Sequence, residues 1–96
     1  MAELRLEAAG PGRVRLAGAL THETVPALLE RGLPAAGEGL TVDLAGLDRV
    51  DSAGLALLIE WLRRARGTLR YEGAPQPLRA LARVGGVAGL LGLAGP

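Results

Sequence analysis

The chain has no cysteine, no lysine and no phenylalanine, and it carries one tryptophan, one tyrosine and one histidine among 96 residues. Without cysteine there can be no disulfide, no thiolate metal site and no thiol nucleophile. A single histidine, His22, excludes a multi-histidine metal centre. With so few aromatics, the apolar 49% of the chain must build its core from leucine, valine, alanine and isoleucine. All eleven cations are arginine and the net charge is +1, so composition leaves no electrostatic footprint for nucleic acid. No apolar run approaches the roughly 20 residues that cross a bilayer. No charged opening followed by an apolar stretch suggests a secretory signal, so the expected location is cytoplasmic. The length suits one domain, residues 1–96, with a modest core. There is no G-x-x-x-x-G-K-[ST] phosphate loop, no nucleophile elbow and no obvious acid–base pair. The reading is therefore of a protein that is not an enzyme and has no cofactor.

Glu3 to Glu7 alternate polar and apolar residues, the pattern of a half-buried strand. Ala9-Gly10-Pro11-Gly12 is turn chemistry, and Arg13 to Ala17 alternate again, so a hairpin is expected. Gly18-Ala19-Leu20 closes the second strand. Thr21 or Thr24 can cap a helix with Pro26 in its first turn and with Val25, Leu28, Leu29 and Leu33 at helical spacing. Gly32 to Gly39 interrupts the pattern. Leu40 to Leu44 is short and apolar, which suits a central strand buried on both faces, and Ala45 to Val50 reads as a loop. Leu55, Leu58, Ile59 and Leu62 then mark the strongest helix, ended by Gly67. Thr68 to Glu72 is a further strand. Pro75 and Pro77 open another helix, through Leu78, Leu81, Ala82 and Val84, which Gly85-Gly86 ends. Val87 to Pro96 is expected to form a short final helix and a frayed end. The order β-β-α-β-α-β-α implies a mixed, largely parallel sheet of about four strands.

The run Val42-Asp43-Leu44, followed by Asp51-Ser52-Ala53-Gly54-Leu55-Ala56-Leu57-Leu58, resembles the signature of STAS domains: a VDL strand, a short loop and D-[ST]-x-G-L at a helix start. Gly18-Ala19-Leu20-Thr21 is similar to the family's G-x-L element. The resemblance extends over about the whole chain and implies a STAS α/β fold with helices packed mainly on one side of the sheet. Within the family, Asp51 to Leu58 is most similar to the STAS subunit of the Mla phospholipid transporter. That likeness implies a non-catalytic subunit bound to the cytosolic ATPase of an ABC transporter, peripheral on the cytosolic side of the inner membrane. The alternative is an anti-sigma-factor antagonist that binds an anti-sigma serine kinase. Antagonists carry a phosphorylated hydroxyl just before the motif glycine, where this chain has Ala53. Ser52 lies one position early for that role. The acidic residue that follows G-x-L in antagonists is replaced by Thr21.

A helix start presents unpaired N–H groups and partial positive charge, so Asp51 or Ser52 can serve as N-cap. Ser52 can also touch a partner. Gly54 leaves room either for a partner's backbone or for a crowded loop. Leu57 and Trp61 are four apart on one helix face, beside Arg63, Arg64 and Arg66. Tryptophan and arginine anchor many interfaces; the alternative is a core-edge tryptophan beside a solvated cluster. The expected partner-binding set is Asp51, Ser52, Ala53, Gly54, Ala56, Leu57 and Trp61. His22-Glu23 reads as a polar surface pair. Asp43, Asp48 and Asp51 lack the spacing of a calcium loop, so no metal is expected. Self-association through sheet edges stays open.

Overall fold

The computed structural model describes residues 3–31, 39–65 and 68–93. The hairpin forms as expected: β1 (Leu4–Ala8) runs antiparallel to β2 (Arg13–Leu20), with Leu6 opposite Leu16. Then follow α1 (Val25–Arg31), β3 (Leu40–Val50), α2 (Ser52–Ala65), β4 (Leu69–Glu72) and α3 (Gln76–Val84). The sheet order is β1-β2-β3-β4, with β3 parallel to both β2 and β4. Successive right-handed crossovers in one direction put α1 and α2 on the same face of the sheet. There α2 packs on β3 and β4, with α1 and α3 beside it. Leu16, Leu20, Val42, Leu44, Leu58 and Leu78 are fully buried between the layers.

Two strand expectations are corrected. The segment Ala45 to Val50 is not a loop, because β3 continues to Val50. Pairing with β2 skips one residue of β3 between Asp43 and Gly46 and another between Leu47 and Arg49, so β3 carries two bulges. Nor is β3 buried on both faces. Val42 and Leu44 point under the helices, whereas Thr41 and Asp43 are half-exposed on the helix-free face with Arg13, Arg15, Arg70 and Glu72.

The helix starts also differ in detail. Thr24 precedes α1, but its hydroxyl turns back to accept from the Thr21 N–H (3.1 Å) and to donate to the Ala19 carbonyl (2.8 Å). The Thr21 hydroxyl accepts from the Glu23 N–H at 3.3 Å. Of the two expected caps, Thr21 therefore fills the role: its carbonyl also accepts from the Val25 N–H at 2.9 Å, while Thr24 reaches back to the cap's own N–H. Pro75 precedes α3, and Gly85 ends it with its N–H on the Leu81 carbonyl. In place of a final helix, the segment after Val87 forms turns that press Leu91 and Leu93 into the core. The expectations for Leu33, for Gly67 and for most of the Gly32 to Gly39 break lie outside the described residues.

Candidate partner-docking site

Because β2 and β3 are parallel with Leu20 opposite Val50, both leave the sheet at the same end. Asp51 follows one strand and the Thr21–Thr24 loop follows the other, so the two segments meet. Asp51 Oδ1 accepts from the Gly54 N–H at 3.0 Å, which makes Asp51 the cap of α2. Its Oδ2 accepts from the His22 N–H at 2.9 Å and lies 3.0 Å from His22 Nδ1. The Asp51 N–H in turn donates to the Leu20 carbonyl at 3.3 Å. One carboxylate therefore fixes a helix start and an adjoining loop. Ser52, the other candidate cap, is the first helical residue and is exposed.

The electrostatics follow from these bonds. Partial burial acts to raise the Asp51 pKa, but the His22 N–H, the His22 ring and the Gly54 and Ala53 N–H groups outweigh it. They hold the carboxyl at about 2 against an ordinary 3.8. The hydrogen bond to Asp51 raises the His22 pKa above 6.5; desolvation opposes this, and the charges of Asp51 and Glu23 add to the rise. The His22 ring is thus paired with Asp51, and Glu23 acts on it only through its charge.

Gly54 is buried, and a Cβ there would collide with the carbonyl oxygen of Leu20. Of the two readings of this glycine, the structure supports internal crowding: α2 begins directly against the end of β2. Gly18, in the upstream G-x-L element, has φ +102°, and a Cβ there would run into the Glu3 carbonyl.

The expected contact strip is narrower than its sequence pattern. Leu57 and Trp61 are only 2% and 3% exposed and belong to the core, so they do not form an outward face. The reason is that α2 has neighbours on three sides: the sheet beneath, α1 and α3. Its buried arc widens and rotates toward Leu57 and Trp61, leaving Leu62 half-exposed. Ser52 and Ala56 are exposed four residues apart, with Ala53 half-buried at their margin. Beyond them, Arg63 and Arg64 both donate to Glu60, at 2.7 Å each to Oε2. The arginine bonds, led by Arg63, hold the Glu60 carboxyl at about 2. Arg66 lies outside the described residues.

The three aspartates do not act together. Asp43 Oδ1 accepts from the Ala45 N–H at 2.9 Å, Asp48 is exposed in the second bulge, and Asp51 is the cap. From the other side, the buried Tyr71 hydroxyl donates to the Leu58 carbonyl at 2.7 Å and pins α2 to β4. The site is thus a rigidly backed helix start bearing small side chains, suited to close contact with another surface.

The sequence placed His22 on the surface with Glu23; what it missed is the pairing of His22 with Asp51. Parallel pairing of β2 and β3 was the signal, since it brings the residues just beyond each strand together. The chain matches no curated protein. A family model described as "Mlab, STAS domain" matches residues 5–92, and the chain belongs to that family.

Proposed function

We propose, with STAS membership as the premise, that this chain is a non-catalytic subunit of an Mla-like phospholipid ABC transporter. It binds and supports the transporter's cytosolic ATPase, which holds it at the inner membrane. The observation that carries the reading is the match of nearly the whole chain to the MlaB-type branch of the STAS family. Two features of the site support it. The position before Gly54 holds Ala53, whose methyl packs half-buried against the core and offers no oxygen to a kinase. The position after the G-x-L element, acidic in antagonists, holds Thr21, whose hydroxyl is used within the chain to accept from the Glu23 N–H.

In this mechanism Ser52, Ala53 and Ala56 form the contact surface. Their small side chains let a partner surface approach α2, and Asp51 with His22 holds that surface in place. Co-purification from the native cell tests the reading. Recovery of an ABC-type ATPase supports it, and recovery of an anti-sigma serine kinase replaces it with the antagonist reading. A Ser52→Arg variant should lose the ATPase while its circular dichroism and melting temperature stay those of the wild type. Undiminished ATPase recovery would remove the helix start from the interface.

A further inference from the structure

Among the described residues, β4 pairs with β3 on one side and forms one edge of the sheet. The Leu40 N–H donates to the Thr68 carbonyl at 2.7 Å, with Leu40 opposite Leu69 and Val42 opposite Tyr71. In a parallel ladder of that register, Arg70 and Glu72 turn their backbone groups to β3. Leu69 and Tyr71 turn theirs to the open edge. The side chains divide the same way: Leu69 and Tyr71 are buried under α2, and Arg70 and Glu72 are exposed on the helix-free face. Glu72 accepts from Arg13 at 3.0 Å, while Arg70 makes no hydrogen bond or ion pair among the described residues.

An antiparallel strand added to this edge must set outward-facing residues opposite outward-facing residues. Besides one centred on Leu69, which sets Arg70 against Thr68, the registers of a second copy of β4 that meet that condition are those centred on Arg70, Tyr71 or Glu72. Of those three, the first sets Arg70 against Arg70, and the last sets Glu72 against Glu72. Only the register centred on Tyr71 sets Arg70 against Glu72 of the second copy, twice over, while the two Tyr71 residues exchange a pair of backbone hydrogen bonds. Opposite charges facing each other stabilise such a pair, and like charges directly opposite destabilise it. Edge strands commonly guard themselves with charge; here the charges complement those of a second copy.

We infer that β4 is a homotypic docking edge, at which two copies join about a twofold axis through Tyr71 into one continuous eight-stranded sheet. The strand is short, so the contact is smaller than the roughly 1,200–2,000 Å² of a stable interface and the dimer is weak and reversible. The other edge, β1, has a similar Leu4-Arg5-Leu6-Glu7 pattern, but there Arg5 and Glu7 already pair with each other at 3.4 Å. This inference is independent of the transporter reading.

Sedimentation equilibrium from micromolar to millimolar protein tests it. The wild type should show a concentration-dependent dimer. Arg70→Glu, which sets one carboxylate against another across the twofold axis and leaves the Arg13 bridge to Glu72 intact, should weaken it about tenfold or more. The swap Arg70→Glu with Glu72→Arg should restore it, and Arg5→Glu should have no effect. Amide exchange on the wild type gives a second readout free of substitutions: the Tyr71 amide should slow with concentration and the Leu6 amide should not. A monomer at every concentration, a full-strength R70E dimer, failure of a folded swap to recover, polymers longer than two, or dependence on Arg5 would each overturn the inference.

Discussion

Replacing Asp51 with alanine removes one side chain that holds two segments, and the cost can be worked out in two ways. As a helix cap bonded to the Gly54 N–H, Asp51 contributes about 1 kcal/mol. As a titrating group, its fall from 3.8 to about 2 corresponds to about 2 kcal/mol of preference for the ionised folded form. Its side chain is 35% exposed, so solvent screening reduces that to about 1 kcal/mol. Both routes give a loss of about 1 kcal/mol at neutral pH, or roughly 5 °C in melting temperature for a domain of this size. The sign with pH is fixed. The folded-state pKa is depressed, so the stabilisation is complete above about 4 and is lost as pH falls through about 2. Thermal unfolding of wild type and D51A from pH 7 down to pH 2 should therefore show a gap that narrows at the acid end. Asp51→Asn keeps an oxygen for Gly54 and should lose less at pH 7. Equal stabilities at pH 7, or a wild-type advantage that grows toward pH 2, would refute the assignment of Asp51 as a charged cap.

Three further outcomes follow from the packing. Gly54→Ala should destabilise by about 2 kcal/mol through overpacking against Leu20, although the same change in an open helix stabilises; a raised denaturation midpoint would contradict the crowding seen there. Trp61→Ala should cost about 3–5 kcal/mol, a large part of the roughly 5–15 kcal/mol that holds a small domain, and urea unfolding would read it directly. An interface tryptophan would leave the isolated domain's midpoint unchanged. Tyr71→Phe should cost about 1 kcal/mol by removing the hydroxyl's bond to the Leu58 carbonyl, which keeps only its helical partner. Burial pushes the Tyr71 pKa up from 10.0, so folding stability should fall as pH rises above that value. Tyrosinate absorbance from this lone tyrosine should then appear only together with loss of helical dichroism.

The elements with clean periodicity were readable from the sequence. The hairpin, α2, β4 and α3 fall where alternation or helical spacing puts them, and the D-S-x-G-L run pointed to the helix start. The end of β3 was not readable, for a physical reason. Its inward residues Leu40, Val42, Leu44, Leu47 and Val50 are spaced by twos and then by threes, because each bulge inserts a residue. A spacing of three resembles a helix or a loop more than a strand, and Asp48 and Arg49 strengthened that impression. Trp61 was misplaced because an apolar stripe gives the direction in which a helix is buried but not the width of the arc. The width depends on α1 and α3, whose packing against α2 is a tertiary fact. The His22–Asp51 contact spans 29 residues of sequence and became visible only once β2 and β3 were known to be parallel and in register.

The two bulges of β3 have one more consequence. A single extra residue inverts the facing of everything after it, and a second inversion cancels the first. Val50 therefore has the same parity as Leu40, and the chain enters α2 as it would from a straight strand, only longer. Removing one bulge residue would turn Val50 to solvent and aim Asp51 to the wrong side. Removing both would keep every side chain on its proper face but bring Asp51 up roughly 6–7 Å short of His22. The length of this strand can thus vary in even steps without scrambling the sheet, while the distance to His22 selects one length among them.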